Sequence, residues 1–497
     1  MGPRAKTLDE LAPLVAGEVV GDGAIMVSDV THDSRQVAER ALYVAIMGAS
    51  SDGHLYVDEA VSRGAAAVCV TTPVTTRVPQ LLVHDTRAAL GPLSDSVHGS
   101  PSRALKVIGV TGTNGKTTVT HYCESIATSA GVPVGLIGTI ETRIDGVAVA
   151  SARHTTPEAS DFQRLLATMR DRGVTLVAAE VSSHALAFGR VSATRFEVAA
   201  FTNLSQDHLD FHGDMSSYRA AKQLLFTDYE IGTAVINIDD ATGAEIAATR
   251  DADQVTVGRG GDVDFSNVVT TEGGSSFSMT TPWGAADLAA PVLGAFNVSN
   301  LMVAAACCMA AGIPFEDVTA GMREVRPVPG RFEVVQGDQP YTVVVDYAHT
   351  PDGITAAVET ARQLSPGKVI GLVGAGGDRD HAKRPQMGAA ISSADVVVIT
   401  SDNPRSEDPG TIVDQVVSGV VTDNELIVEV DRRKAIEAAL GSAGPGDIVL
   451  VLGRGHEPYQ AVGDQMVPFN DREVVMDLLG ISERSADSGP VSGSMFS

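Results

Sequence analysis

The chain has 497 residues, 44% hydrophobic and 20% charged, enough for about three domains of ~100–200 residues, each with a buried core. Its net charge of -26 excludes general binding to nucleic acid or anionic membrane, which needs a surplus of Lys and Arg on some face, so any phosphate site must be local. The amino terminus has no basic stretch followed by an apolar run, so no signal peptide is expected.

In chain order, the polar loop Asp33-Ser34-Arg35 comes before an apolar stretch at 42–45 and reads from residue type alone as a solvated turn. Short apolar strand-like runs then alternate with longer helical patterns, the mark of α/β units around parallel sheets. The strand-like runs are 105–110, 175–179, 198–202, 234–238, 341–345, 369–373, 396–400 and 448–452. Ser/Pro/Gly near 101–104 and two prolines with a glycine near 327–330 interrupt the pattern. The expected architecture is therefore α/β in three domains: 1–103, 104–329 and 330–481, with a Ser/Gly-rich tail at 482–497 expected to fray. The longest apolar stretch, 301–313, is too short to span a membrane and reads as a buried helix capped by Asn300. Cys69, Cys123, Cys307 and Cys308 lie in apolar runs without CxxC spacing, so buried reduced thiols in a cytosolic setting are expected rather than a zinc site or disulfides.

Residues 111–118, Thr-Gly-Thr-Asn-Gly-Lys-Thr-Thr, sit between a strand and a helix. A phosphate loop needs that setting: backbone N–H groups and the helix start cradle phosphates, Lys116 meets the β and γ phosphates, and a Thr hydroxyl holds Mg²⁺. The strict spacing would put glycine at position 110, where Val110 stands. Glu180 and His208 each follow an apolar strand, at the carboxyl edge of a sheet where open α/β folds bind ligands. Both are candidate metal ligands for ATP chemistry.

The segments TGTNGKTT (111–118), HTTPE (154–158), EVSSHAL (180–186), FTNLSQDHLDFHG (201–213), YRAAKQLLF (218–226), GAFNVSN (294–300), GRFE (330–333), DYAHTPD (346–352), GAGGDRD (374–380), DNPRSEDP (402–409) and GRGHEPYQ (453–460) resemble the Mur ligases, in order, and within them the members that add diaminopimelate. The resemblance implies a smaller N-terminal α/β domain for the UDP-linked substrate. It also implies a central P-loop ATPase-like parallel sheet and a Rossmann-like C-terminal domain for the amino acid. The implied reaction is ATP-driven: the D-glutamate γ-carboxylate of UDP-N-acetylmuramoyl-L-alanyl-D-glutamate becomes an acyl phosphate, which the amine of meso-diaminopimelate displaces. It serves peptidoglycan synthesis in the cytoplasm.

By position, the resemblance assigns ATP to Gly112, Thr113, Asn114, Gly115, Lys116, Thr117, Thr118, Asn297, Asn300, Arg331 and Asp346. Thr117, Glu180, His208 and Lys222 are implied to hold Mg²⁺, Lys222 as a carbamate (N6-carboxylysine); Lys116, Glu180, His208 and Lys222 form the implied catalytic set. Ser34, Thr155, Thr156, Ser182 and Arg190 are implied to bind the UDP-muramyl dipeptide, and Arg379, Asp402, Asn403, Arg405, Gly453 and Glu457 the diaminopimelate. Without the motif, Lys222 reads as a solvated helix lysine, Arg331 and Asp346 as surface ion-pair residues, and Arg405 as a surface partner of Glu407 or Asp408.

The chain departs from the family's habits at four positions. Arg40 stands where glycine is usual, Phe188 where glutamine is frequent, Ala375 where cysteine is frequent and Arg454 where lysine is frequent; the last two are given no part in the chemistry. A monomer is expected, with no nucleic acid partner and no membrane insertion. Competing readings are the L-lysine-adding ligase of the same family, a folylpolyglutamate synthetase (expected to lack the DNPR segment), a nucleotide-driven switch and a degenerate scaffold.

Overall fold

The computed structural model describes residues 5–48, 51–151, 154–250 and 253–481. The expected frayed tail at 482–497 lies outside the described residues. Three large sheets organise the chain, and all eight strands expected from the apolar runs are present within a residue or three of their expected bounds.

The central sheet has eight strands, in the order Val147–Ser151, Glu141–Ile144, Val134–Ile137, Leu176–Glu180, Lys106–Thr111, Phe196–Phe201, Ile231–Asn237 and Gln254–Val257. Its last six strands run parallel, and the first two form an antiparallel hairpin at one edge. Parallel strands are covered on both faces and so read as unbroken apolar runs rather than alternating ones. Every residue of Leu176–Glu180 is buried. An antiparallel sheet of Asp264–Thr271, Gly274–Thr281 and Gly284–Ala290 packs nearby, and its strands, rich in Ser, Thr, Gly and Ala, carry no long apolar run in the sequence.

The C-terminal sheet has the order Glu333–Val334, Thr342–Asp346, Ile448–Leu452, Val369–Ala375, Val396–Ser401 and Glu425–Val428, parallel except for its first strand. A smaller five-stranded sheet, Glu18–Val20, Gln80–Leu82, Ala67–Val70, Ala41–Val44 and Asp29–Thr31, forms the N-terminal unit.

The helix expected after Asn300 starts earlier. It spans Ala295–Ala310, with Gly294 at its N-cap, and Asn300 lies inside it. Asn297 and Asn300 are three residues apart and share a helix face, which lines a cavity; a polar pair that resembles a cap is a lining instead. Below that face Leu301–Met309 are all buried, against the P-loop helix Lys116–Ser129 in one core cluster. The four cysteines are free and buried. Among the described residues no helix is long and apolar enough to cross a membrane.

Candidate active site

The strand Lys106–Thr111 runs directly into the phosphate loop. Val110 is a fully buried strand residue whose carbonyl accepts the Val181 N–H. The chain turns only at Gly112 (φ 147°), where a Cβ would lie 1.9 Å from Thr202 Oγ1. Glycine is therefore required at 112, and position 110 is free to pack a valine. Gly115 caps the helix in the left-handed region (φ 86°), and a Cβ there would meet Asn300 Oδ1 at 2.4 Å. Lys116 Nζ is turned back on the loop, donating to the Gly112 and Thr113 carbonyls at 3.0 and 2.9 Å. Thr113 Oγ1 is 3.1 Å from Tyr218 OH, and Asn114 Nδ2 reaches Thr350 Oγ1 in the C-terminal unit at 3.3 Å.

A cavity of about 310 Å³ opens beside the loop, lined by Asn114, Gly115, Thr118, Asn297, Asn300, Arg331 and Asp346, and bordered by Tyr347. Among the described residues neither Arg331 nor Asp346 has a surface ion-pair partner. Arg331 Nη2 donates to Thr117 Oγ1 at 3.0 Å and its guanidinium lies over the Tyr347 ring, 4.4 Å from the centroid. Asp346 accepts the Phe332 and Ala348 N–H groups at 2.6 and 2.7 Å, and burial raises its pKa.

Glu180 ends the neighbouring strand. Its Oε2 accepts from Thr117 Oγ1 at 3.0 Å, and its Oε1 from the Thr139 N–H at 2.7 Å. Thr139 Oγ1 lies 3.0 Å from Glu180 Oε2 and 3.1 Å from Thr155 Oγ1. Thr156 Oγ1 donates to the Glu180 carbonyl at 2.8 Å and accepts the Ser182 N–H at 3.2 Å. Arg190 pairs with Glu158 at 2.9 Å and donates to the Thr156 carbonyl. Thr155, Thr156, Ser182 and Arg190 therefore lie together beside Glu180, whereas Ser34 is in the N-terminal unit. Its hydroxyl donates to Glu59 at 2.8 Å, in a separate cavity of about 380 Å³ that includes Asp33 and Tyr43.

Lys222 is 1% exposed, so it is no solvated helix lysine. Its Nζ donates to the Gly112 carbonyl at 2.7 Å and lies 4.4 Å from the Tyr218 ring centroid. Burial, and then the charge of Lys116, push this amine well below its ordinary pKa. His208 takes a left-handed backbone (φ 55°) and stands edge-on to His184, with ring centroids 4.9 Å apart. Burial lowers its pKa to about 3, despite the opposing charge of Asp207, leaving a neutral imidazole at pH 7.

Among the described residues no three His, Cys, Asp or Glu side chains converge as a metal cage. Mg²⁺ rarely uses one: it takes one or two carboxylates, keeps waters and binds substrate phosphates. The Thr117 hydroxyl beside the Glu180 carboxylate at the mouth of a phosphate loop fits that donor set.

The C-terminal candidates gather around a cavity of about 170 Å³ lined by Arg379, Asp402, Asn403, Arg405, Gly453 and Glu457, together with Asp207, His208 and Tyr347. Arg405 Nη1 donates to the Gly377 carbonyl. Glu407 is engaged by the buried Arg384 at 2.8 Å, and Asp408 caps the helix Pro409–Val417, so neither pairs with Arg405. A Cβ at Gly453 (φ 114°) would meet Asp402 Oδ2 at 2.8 Å. Arg379 is half-exposed, with its Nη1 4.0 Å from Asp210. Burial and the charge of Asp402 raise the Glu457 pKa. Three participants are given no role by the sequence: Thr139, whose loop seats Glu180; Lys383, which donates to Asp207 at 2.9 Å across the two units; and Arg454.

The chain is similar to known proteins along most of its length. The family model "Mur ligase family, catalytic domain" matches residues 27–98, "Mur ligase middle domain" residues 110–308, and "Mur ligase, glutamate ligase domain" residues 330–455. The UDP-N-acetylmuramoyl-L-alanyl-D-glutamate--2,6-diaminopimelate ligase of Geobacillus kaustophilus (strain HTA426) is 45% identical over 455 residues, covering 89% of this chain and 92% of that one. The chain belongs to the Mur ligase family. A solved structure of a UDP-N-acetylmuramoyl-L-alanyl-D-glutamate--2,6-diaminopimelate ligase superposes on this Mur ligase with a TM-score of 0.68 at 29% identity, covering 96% of this chain and 99% of the other. MurF from Acinetobacter baumannii shares the fold, with a TM-score of 0.71 at 21% identity and coverage of 96% and 99%.

The four departures have distinct settings in this Mur ligase. Arg40 occupies the left-handed region (φ 65°) with its N–H donated to the Gly64 carbonyl, which explains why glycine suits the position. Phe188 lies close to two guanidiniums, 5.1 Å from Arg87 and 5.7 Å from Arg190, so an aromatic face replaces a hydrogen-bonding amide. Ala375 ends a buried strand. Arg454, given no part by the sequence, is fully buried and donates to Asn403 at 2.7 Å.

Proposed function

We propose that this Mur ligase joins meso-2,6-diaminopimelate to the D-glutamate γ-carboxylate of UDP-N-acetylmuramoyl-L-alanyl-D-glutamate, at the expense of ATP, in peptidoglycan synthesis. One observation carries the reading: Tyr347 borders both the cavity beside the phosphate loop and the cavity of Asn403, Arg405 and Glu457. A phosphorylated carboxylate formed at the first is thus one side chain away from an amine held at the second. The names of the similar ligases favour diaminopimelate over L-lysine.

A carboxylate is a poor acylating agent, so activation comes first. A γ-carboxylate oxygen attacks the γ-phosphorus of ATP and ADP leaves. The amine then attacks the acyl carbon, the bond to phosphate oxygen breaks, and the nitrogen gives up a proton. Lys116 leaves its loop carbonyls to offset charge on the transferring phosphoryl group. Asn297 and Asn300 sit beside the adenine, Asp346 beside the ribose and Arg331 beside the phosphates; Gly112 to Thr118 cradle them. Thr117, Glu180, His208 and Lys222 would hold Mg²⁺, which when bound neutralises phosphate charge. The depressed pKa of Lys222 supports a carbamate: a neutral amine adds to CO₂ and loses a proton, which turns the uncharged nitrogen into an anionic oxygen ligand.

Thr155, Thr156, Ser182 and Arg190 bind the muramyl dipeptide, and Ser34 the uridine end. Arg405, with Arg379, grips the carboxylate that diaminopimelate carries and lysine lacks, through the parallel hydrogen bonds a guanidinium offers. Asp402, Asn403, Gly453 and Glu457 complete that pocket. The division into 1–103, 104–329 and 330–481, a cytoplasmic location and a monomeric state belong to the same reading.

The test is mass analysis of the product formed from ATP, the muramyl dipeptide and an equimolar mixture of meso-diaminopimelate and L-lysine. The diaminopimelate adduct is expected, and its loss on Arg405→Ala with ATP binding retained. Equal incorporation of L-lysine by the wild type overturns the assignment.

A further inference from the structure

We propose that Arg454 is a positioning residue of the amino-acid pocket, fixing the Asn403 carboxamide so that it presents only its NH₂ toward Glu457 and the cavity. The inference rests on the reading of that cavity as the amino-acid site.

Arg454 follows the strand Ile448–Leu452 and is fully buried. Its Nη1 donates to Asn403 Oδ1 at 2.7 Å, and the Ala461 N–H donates to the same oxygen at 2.8 Å. An amide oxygen has two lone pairs, and both are taken. Flipping the carboxamide would set its NH₂ against two donors and leave both unsatisfied in the interior, which is costly. The flip is closed, and Asn403 Nδ2 is left to donate to Glu457 Oε2 at 2.7 Å. Asn403 therefore faces the cavity as a donor and suits a carboxylate, and its bond orients the pocket's acidic acceptor.

The same guanidinium holds the other side of the pocket. Its Nη2 donates to the Tyr459 and Phe469 carbonyls at 2.7 and 3.1 Å, at the two ends of the hairpin Tyr459–Val462 and Gln465–Pro468. That hairpin accepts the Arg405 N–H on the Ala461 carbonyl at 3.0 Å and donates the Gly463 N–H to the Arg405 carbonyl at 2.7 Å. Those two bonds hold Arg405 in its left-handed backbone (φ 52°). The alternative, that Arg454 only balances buried Asp471, is poorly supported. Asp471 is already paired with both nitrogens of one face of Arg432 at 2.8 and 2.7 Å, whereas Arg454 Nε stands 3.9 Å away and has no hydrogen-bond partner.

The experiment measures ligation by full-length wild type, R454M, R454K, N403A and R454M/N403A, with separate KM values for meso-diaminopimelate, ATP and the muramyl dipeptide. R454M is expected to raise the KM for diaminopimelate about 10- to 100-fold with the KM for ATP within about twofold of wild type. R454K, with one compact donor group in place of the fork, is expected to fall between wild type and R454M. Because Arg454 acts partly through Asn403, and also through the hairpin that holds Arg405 and an ion pair with Glu457 at 3.5 Å, the double variant should raise the KM for diaminopimelate by less than the product of the two single effects. Multiplying effects in the double variant, or a rise shared by all three KM values, overturns the inference. If R454M does not fold, R454K decides: an unchanged KM for diaminopimelate overturns it. A wild type that forms no diaminopimelate adduct overturns the parent reading and this one with it, whereas an active wild type with an unaffected R454M overturns this one alone.

Discussion

Replacing Arg432 by Met is expected to destabilise the C-terminal unit by about 4 kcal/mol. Arg432 and Asp471 are both fully buried in side chain, and the pair is bidentate, Nε to Oδ1 at 2.8 Å and Nη2 to Oδ2 at 2.7 Å. The guanidinium also donates to the Ser401 and Leu452 carbonyls at 3.2 and 3.0 Å. Those carbonyls close the two strands that lead into Asp402 and Gly453, so one side chain ties the carboxyl ends of the strands that build the pocket. Removing one partner of a buried pair costs about 3–5 kcal/mol, and an orphaned carbonyl about 1–3 kcal/mol more. The terms overlap, and Arg454, 3.9 Å from Asp471, can approach the freed carboxylate and offset part of the loss. At roughly 2–4 °C per kcal/mol for units of 150–250 residues, the transition should fall by about 8–16 °C. Scanning calorimetry of the full chain reads it directly. R432M/D471L, which removes both charges, should recover part of the loss, because no charge is left buried and unpaired, although the Ser401 and Leu452 carbonyls still lack their donor. A fall below about 2 °C, or a double variant as unstable as R432M, would refute this reasoning.

Further expectations concern other parts of the chain. Lys116→Ala should lose ligation by on the order of a hundredfold or more while keeping its circular dichroism, since Nζ bonds only carbonyls of its own loop; wild-type turnover would contradict the role given to it. Lys222→Ala should lose turnover that short carboxylates partly restore, and full activity without additive would rule out the carbamate. Hydrogen bonds from Arg384 hold Glu407 at about 2, below its ordinary 4.5. That stabilisation is fully present above about pH 4.5 and fades as pH falls toward 2, so the stability gap between wild type and E407Q should shrink over that window; a gap constant with pH would count against the pairing. Arg40→Gly should stabilise by about 0.5–1 kcal/mol by relieving a left-handed residue whose side chain is exposed; a lowered melting temperature would show that Arg40 makes a contact that matters.

Much of the fold was legible because parallel strands covered on both faces leave unbroken apolar runs, and all eight such runs became strands. The phosphate loop was legible for a related reason: a strand, a glycine turn and a helix start are local, and residues 111–118 contain all three. Illegible were strands with few apolar residues and no buried one, such as Asp264–Thr271. The start of the helix Ala295–Ala310 is not legible either, because Asn300 can cap a helix as well as line a cavity. Residue type does not distinguish the two; only the placement of Asn300 beside Gly115 does.

The site divides along the same line. Motif residues such as Glu180 and Arg405 stand out because each follows a strand, but what fixes them comes from distant parts of the chain. Thr139 seats Glu180 from a loop 41 residues away, and Arg331 reaches Thr117 across 214 residues. A threonine in a polar loop carries no periodic signal of such a role. Arg454 is the extreme case. An arginine in a glycine-rich loop reads as solvent-facing, since charged residues are almost never fully buried unless paired, yet here it is sealed inside and bonded to an amide and two carbonyls. A sequence names the groups that can meet a substrate; it leaves open which face each one presents. For Asn403 that choice is made by a residue 51 positions away, and a pocket for a carboxylate is separated from one for an ammonium by the rotation of a single carboxamide.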